Sequence, residues 1–417
     1  MINVDRFLFL FVFFLFYISL VVSYYFFVHE IFSYAGFDGE FVLSKFVVSF
    51  FVVLIAFSFL DPVLKKPSDF LLLVFFTGFV VPVAIFYSFN PVSPIPFYLT
   101  VIVFLFIYTL VSVKVKSVAV PAFSFGPFLA MFLSFIFVIY LIFWYLHTGA
   151  YRFMNFNLLA VYESRSTVRE LTSIGLFAYF NHWAYSVFNV FLMAVSLHYK
   201  KYLFFCLFAL IQVFFFSVSA HKSLLFFPFV IFSIWFYFSR TDKLLYYLIG
   251  LIGIVSFSFS LFIFFNEIVP ASLFIRRVFF VPAGLAWDYY SFFSVNELYY
   301  WSNSFLSPFL DSPYVLSPGR VIGEYNGSGS NANMNFLFSG FAHAGLIGSF
   351  FYAFVLAIFL RFVNGVTKGC IPVWLATAIV FIPFRNTLIN SDLATSFLTH
   401  GLLVLFILLF LYRYKRV

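Results

Sequence analysis

Charge is too scarce in this chain to clothe a water-soluble surface. Asp, Glu, Lys and Arg make up 9% of its 417 residues, against 64% apolar side chains and a mean hydropathy of +1.08. An ordinary soluble domain uses about a quarter of its residues as charges. Most of this surface must therefore face lipid. The expected fold is all-α: one polytopic membrane bundle over residues 1–417, with no composition shift marking a separable soluble domain. The first apolar run, Phe7 to Val28, is too long for a signal-peptide core and lacks a small-residue cleavage site, so it reads as the first span.

Apolar runs of spanning length occur near residues 7–28, 41–60, 70–88, 97–113, 126–146, 172–197, 202–219, 223–239, 244–265, 335–360, 371–384 and 396–412. Twelve spans put both termini on one side. The connections on that side hold fourteen of the 23 Lys and Arg but only four acids, Asp5, Asp61, Asp69 and Asp242. Cytoplasmic loops carry such a Lys and Arg excess, so both termini are expected to be cytoplasmic.

Two connections on the opposite side stand out. Residues 147–171 read HTGAYRFMNFNLLAVYESRSTVREL, and residues 266–334 form one large loop. Of the nine basic residues on this side, seven are arginines: 152, 165, 169, 276, 277, 320 and 385. A guanidinium offers a planar fork of donors that fits phosphate or carboxylate. The plainer alternative is that these arginines anchor loops at the headgroups or pair with neighbouring acids. If YESRSTVREL begins the sixth helix, Arg165 and Arg169 share a face at i, i+4, beside Glu163 and Glu170.

The large loop is rich in Trp287, Tyr289, Tyr290, Tyr299, Tyr300, Trp301, Tyr314 and Tyr325. Such rings suit the membrane interface, and beside carboxylates they also suit sugars, whose apolar faces stack on them. The stretch SLFIRRVFFVPAGLAWDYYSFF is expected to lie as helices in the interface plane. GRVIGEYNGSGSNANMN reads as a mobile loop feeding the tenth span. In that span Asn335, Ser339 and His343 recur every four residues along one face, and polar groups there are costly unless satisfied or functional. His221 and Lys222 fall between the seventh and eighth spans, and Arg385 ends the eleventh. No P-loop, HExxH, paired CxxC or DxD-like pair appears, which speaks against a nucleotide-driven pump or a zinc protease. Any glycosyl chemistry would be metal-independent and use no cofactor.

The layout and the stretch MNFLFSGFAHAGLIG, residues 334–348, resemble the bacterial O-antigen polymerases (Wzy-type repeat-unit polymerases) of the wider polymerase and ligase group. Asn335, Gly345 and Gly348 match the group's pattern, while Met334 stands where ligases carry a histidine. The family's paired Arg-to-Gly loop motif is met loosely by Arg165 with Gly175 and by Arg320 with Gly329. The resemblance implies a GT-C-like glycosyltransferase in the bacterial inner membrane, with 147–171 and 266–334 as periplasmic loops. It would transfer a growing glycan from undecaprenyl pyrophosphate to an incoming lipid-linked repeat unit. Implied partners are that lipid-linked oligosaccharide, membrane lipid, a chain-length regulator and a flippase, with no nucleic acid. Glu163, Asp288 and His343 are then the candidate bases. Arg165, Arg169, Arg276, Arg277, Arg320, Tyr289 and Asn335 are the candidate ligands of pyrophosphate or sugar.

Three other readings compete. A lipid-linked oligosaccharide flippase would carry charges midway through several helices, where this chain has almost none. A ligase is disfavoured by Met334. A membrane subunit without chemistry would differ from a polymerase in failing to extend a lipid-linked unit.

Overall fold

The structure is a computed structural model that describes residues 4–113, 122–157 and 161–413, without the side chains of 161–164. Among the described residues it is all-helical apart from one isolated antiparallel bridge between Val63 and Lys243. Nine of these helices are long and apolar enough to cross a membrane, and the shorter apolar helices Leu43–Phe57, Ser223–Phe238 and Val373–Ile389 accompany them. The bundle is built around Pro67–Ser88, in which every residue from Phe70 onward is buried. Proline at its first position and the Asp69 carboxylate, which accepts from the backbone N–H groups of Lys65 and Lys66 at 3.0 Å, start this helix. Aromatic packing fills the interior, as where Phe13 stacks on Phe57 with centroids 3.8 Å apart.

The bundle has two distinct ends. At one, Leu64 N–H donates to Asp242 O, Asp5 pairs with Lys243 at 2.8 Å, and Gly126 abuts Leu411. This end holds Lys65, Lys66, Lys200, Lys201 and Lys243. At the other end, Asn155 N–H donates to Ser217 O and Trp287 Nε1 donates to Ser93 O. The segments 147–171 and 266–334 both lie at this end.

The expected tenth span is not straight. Phe336–Thr367 leaves helical geometry at Ala344 (φ −149°, ψ 35°) and Gly345 (φ 57°, ψ −142°). Twelve residues of unbroken helix would separate Leu337 from Ser349 by about 18 Å, yet Ser349 Oγ donates to Leu337 O at 3.0 Å. The chain therefore doubles back. A short limb, 336–343, begins against the middle of the central helix, with Phe336 on Phe75 and Phe338 on Phe79. It runs toward the loop-rich end, reverses at Gly345, and returns as the long limb. Gly345 occupies a region of backbone space open to glycine alone. Where the limbs touch, a Cβ on Gly340 or Gly348 would run into the other's carbonyl oxygen. Asn335, Ser339 and His343 still share one face, but of this short limb rather than of a full span.

Two more segments depart from expectation, and a third follows it. YESRSTVREL does not continue into the next helix: Val161–Thr172 stands alone, ended by a turn with Gly175 at φ +56° before helix 177–198 begins. The first part of the large loop is helical as anticipated, one continuous helix, Ile268–Phe293, long and apolar enough to cross a membrane. It rests on the first and third helices through Phe280 on Tyr24 and Trp287 on Phe86. Within GRVIGEYNGSGSNANMN, Pro318–Tyr325 is a helix with proline at its start. Its glycines let the following chain pass against it, and Ala332 N–H donates to Gly319 O at 2.8 Å.

Candidate functional site

Two polar clusters occupy the loop-rich end, joined by the short helix Leu393–Leu398. The first is built on the tip of the reversed limb. His343, 3% exposed, points Nε2 at Asp392 Oδ1 across 3.5 Å. Asp392 is held from two further directions: it caps Leu393–Leu398 by accepting from Thr395 N–H at 3.1 Å, and it accepts the Tyr352 hydroxyl at 3.1 Å. Facing Asp392, Nε2 is the favoured place for the His343 proton, which leaves Nδ1 as the acceptor nitrogen. That Nδ1 is buried without a hydrogen-bond partner. The Trp301 indole lies parallel to the imidazole, 14° apart in plane with centroids 5.3 Å apart, and Tyr299 meets it edge-on.

The second cluster lies beyond the far end of that six-residue helix, on the order of 9 Å along its axis. It gathers His182 from helix 177–198, His221 from the connection after Tyr202–Ser219, and His400 from the connection before Leu402–Tyr412. Ring centroids of His182 lie 5.5 Å from His221 and 6.0 Å from His400. Arg165 donates through Nη2 to His221 Nδ1 at 3.3 Å, and Tyr185 Oη lies 2.5 Å from His182 Nδ1. Since arginine has donors only, His221 Nδ1 must be the acceptor and its Nε2–H the remaining donor. Burial, and then the charge of Arg165, push His221 down to about 3. Among the described residues no carboxylate lies within salt-bridge distance of Arg165 or Arg169. Nor do any three His, Cys, Asp or Glu side chains there group to hold a metal ion. A cationic rim of this kind suits an oxyanion.

Of the residues anticipated from sequence, Arg165 and Arg169 fall in the second cluster and His343 in the first. Tyr289 stands near the first cluster, fully buried, its hydroxyl donating to Ala332 O at 2.9 Å. Asp288 accepts from Asn326 at 3.4 Å within the large loop. Arg276 lies over the Phe32 ring at 4.2 Å, apart from both clusters, with exposed Arg277 beside it. Arg320 donates to Gly329 O at 3.3 Å and closes its own loop. Asn335 is fully buried; it caps the short limb by accepting from Phe338 N–H and donates to Leu388 O, both structural duties. The Glu163 side chain lies outside the described residues. Sequence reasoning missed Asp392, Tyr352, His182, Tyr185 and His400, and left His221 unassigned. The available signal was that three histidines fall near the same expected membrane face: His182 and His400 near the ends of two expected spans and His221 in a connection.

No family model, no curated protein and no solved structure matches this chain. What its fold defines is a class: a multi-pass helical membrane protein with its polar chemistry gathered at one end.

Proposed function

We propose that the chain polymerises lipid-linked oligosaccharide repeat units, moving a growing glycan from undecaprenyl pyrophosphate to a sugar hydroxyl of an incoming lipid-linked unit. The observation that carries this reading is the His343–Asp392 pair, with its basic nitrogen unpartnered, set one short helix away from the Arg165 and histidine cluster. In this reading the chain crosses the inner membrane twelve times in a GT-C-like arrangement. The lysine-bearing end and both termini are cytoplasmic, following the positive-inside rule, and the loop-rich end is periplasmic.

The acceptor hydroxyl gives its proton to His343 Nδ1 while its oxygen bonds to the anomeric carbon of the donor. The anomeric carbon–oxygen bond breaks, and the electron pair leaves with the pyrophosphate, which stays on its lipid. Arg165, Arg169 and the donor N–H groups of the histidines stabilise the charge that develops there. Asp392 holds His343 in the right tautomer and steadies the imidazolium that forms. Exposed rings of the large loop supply stacking surface for sugars.

The test is complementation of cells lacking their own polymerase, at matched protein levels. His343→Gln should lower polymer formation by about 10²–10⁴-fold, the usual span for a lost general base. Arg165→Ala, which removes a charge-assisted contact of about 1.5–3 kcal/mol, should cost about ten- to a hundredfold. Arg320→Ala, confined to its own loop, should cost much less. Normal polymer from either His343→Gln or Arg165→Ala would defeat the proposal.

A further inference from the structure

If His343 is to accept a proton, something above it must move, because its free nitrogen is sealed from solvent. The seal is the turn Tyr299–Trp301. Tyr299 N–H donates to Ala342 O at 3.0 Å and Tyr300 N–H donates to His343 O at 2.9 Å, so the turn satisfies carbonyls that the reversal of the helix leaves without partners. Trp301 Nε1 donates to Tyr352 Oη at 2.8 Å while its ring covers the imidazole. The turn achieves this in an unfavourable conformation: Tyr300 has φ +46° and Trp301 φ +59°. Two successive aromatic residues in the left-handed region are strained, since Cβ crowds the following carbonyl. Tyr300 gains little in return, its side chain being 54% exposed. Glycine would hold the same turn without that strain.

We propose that Tyr299–Trp301 is a strap that closes over His343 and lifts to admit a sugar hydroxyl, its backbone strain keeping the lifted state within reach. The strap rests on the reading above for the identity of what enters, but its opening is measurable without turnover. In the closed state the Trp301 indole occupies the space against His343 that the apolar face of a sugar ring takes when the strap is open.

The experiment is carbethoxylation of the purified full-length protein by diethyl pyrocarbonate. Labelling of His343 is read by peptide mass spectrometry against exposed His147 as internal reference. Wild-type His343 should label slowly relative to His147. Trp301→Ala, which removes the cover, should raise the relative rate at least tenfold. Tyr300→Gly, which relaxes one left-handed side chain and favours closure, should lower it by about tenfold. Because Tyr300→Gly eases the closed structure, a lower rate cannot be ascribed to misfolding. Relative rates unchanged in both variants, or raised by Tyr300→Gly, would overturn the strap. A strap that behaves as expected in a protein that forms no polymer would defeat the polymerase reading alone.

Discussion

Neutrality is what the folded chain imposes on His221. With its pKa held at about 3 by burial first and Arg165 second, the ring stays unprotonated where an unfolded chain would take up a proton. Arg169 acts on it in the same direction, and His400 beside it is likewise pushed down, to about 4, by burial, so it adds to the same pH dependence. Below the unfolded value of about 6.5 the unfolded state binds more protons, so this group's contribution to stability is whole above that pH and falls as pH drops toward 3. Thermal unfolding in detergent should show a falling midpoint between about pH 7 and pH 5, and His221→Gln should flatten that slope. A slope as steep in His221→Gln as in wild type would show that the ring is not held neutral. At this scale the sequence was partly legible. The i, i+4 spacing put Arg165 and Arg169 on one face, and His343 stood out as a polar group in an apolar run. Asp392 did not, because its role depends on a partner forty-nine positions earlier in the chain.

Helix reversal is the element-scale device that presents His343. The run from Phe336 to Leu360 is apolar apart from a few small polar groups, so hydropathy reads it as a single span. The reversal is written in backbone chemistry instead. Gly345 allows the turn, Gly340 and Gly348 allow the limbs to touch, and Asn335 caps the short limb. The positions that matched a family pattern thus have a mechanical reading in this chain. Gly348→Ala should destabilise the protein by about 1–3 kcal/mol, as overpacking at backbone contacts does. Gly365→Ala, in the same helix with open space around it, should be neutral or stabilising by up to about 1 kcal/mol. Equal midpoints for the two variants in thermal or denaturant unfolding would mean that the limbs are not in contact. What went unseen at Val161–Thr172 was its separation from the next helix, a break made at Gly175 (φ +56°).

On the scale of the whole molecule, the asymmetry of charge anticipated the geometry best. Lysine-bearing connections gather at one end, and the arginine-bearing segments 147–171 and 266–334 lie at the other. The helical first part of the larger segment was legible too: Ile268–Phe293 is one helix, with Arg276, Arg277 and Asp288 along it. The clusters at the loop-rich end draw on the segment before helix 177–198, on 294–317, on the limb tip at 343 and on the connections at 221, 392 and 400. No local stretch of sequence could show such a convergence. The central claim is that this end of the bundle joins lipid-linked glycans, and its most direct test is reconstitution. Purified protein in vesicles, supplied with a lipid-linked repeat unit alone, should yield a ladder of lipid-linked products differing by one repeat. The His343→Gln protein, equally folded, should leave the repeat unit unextended. A single unextended band with the wild-type protein, or a ladder undiminished by His343→Gln, would contradict the account.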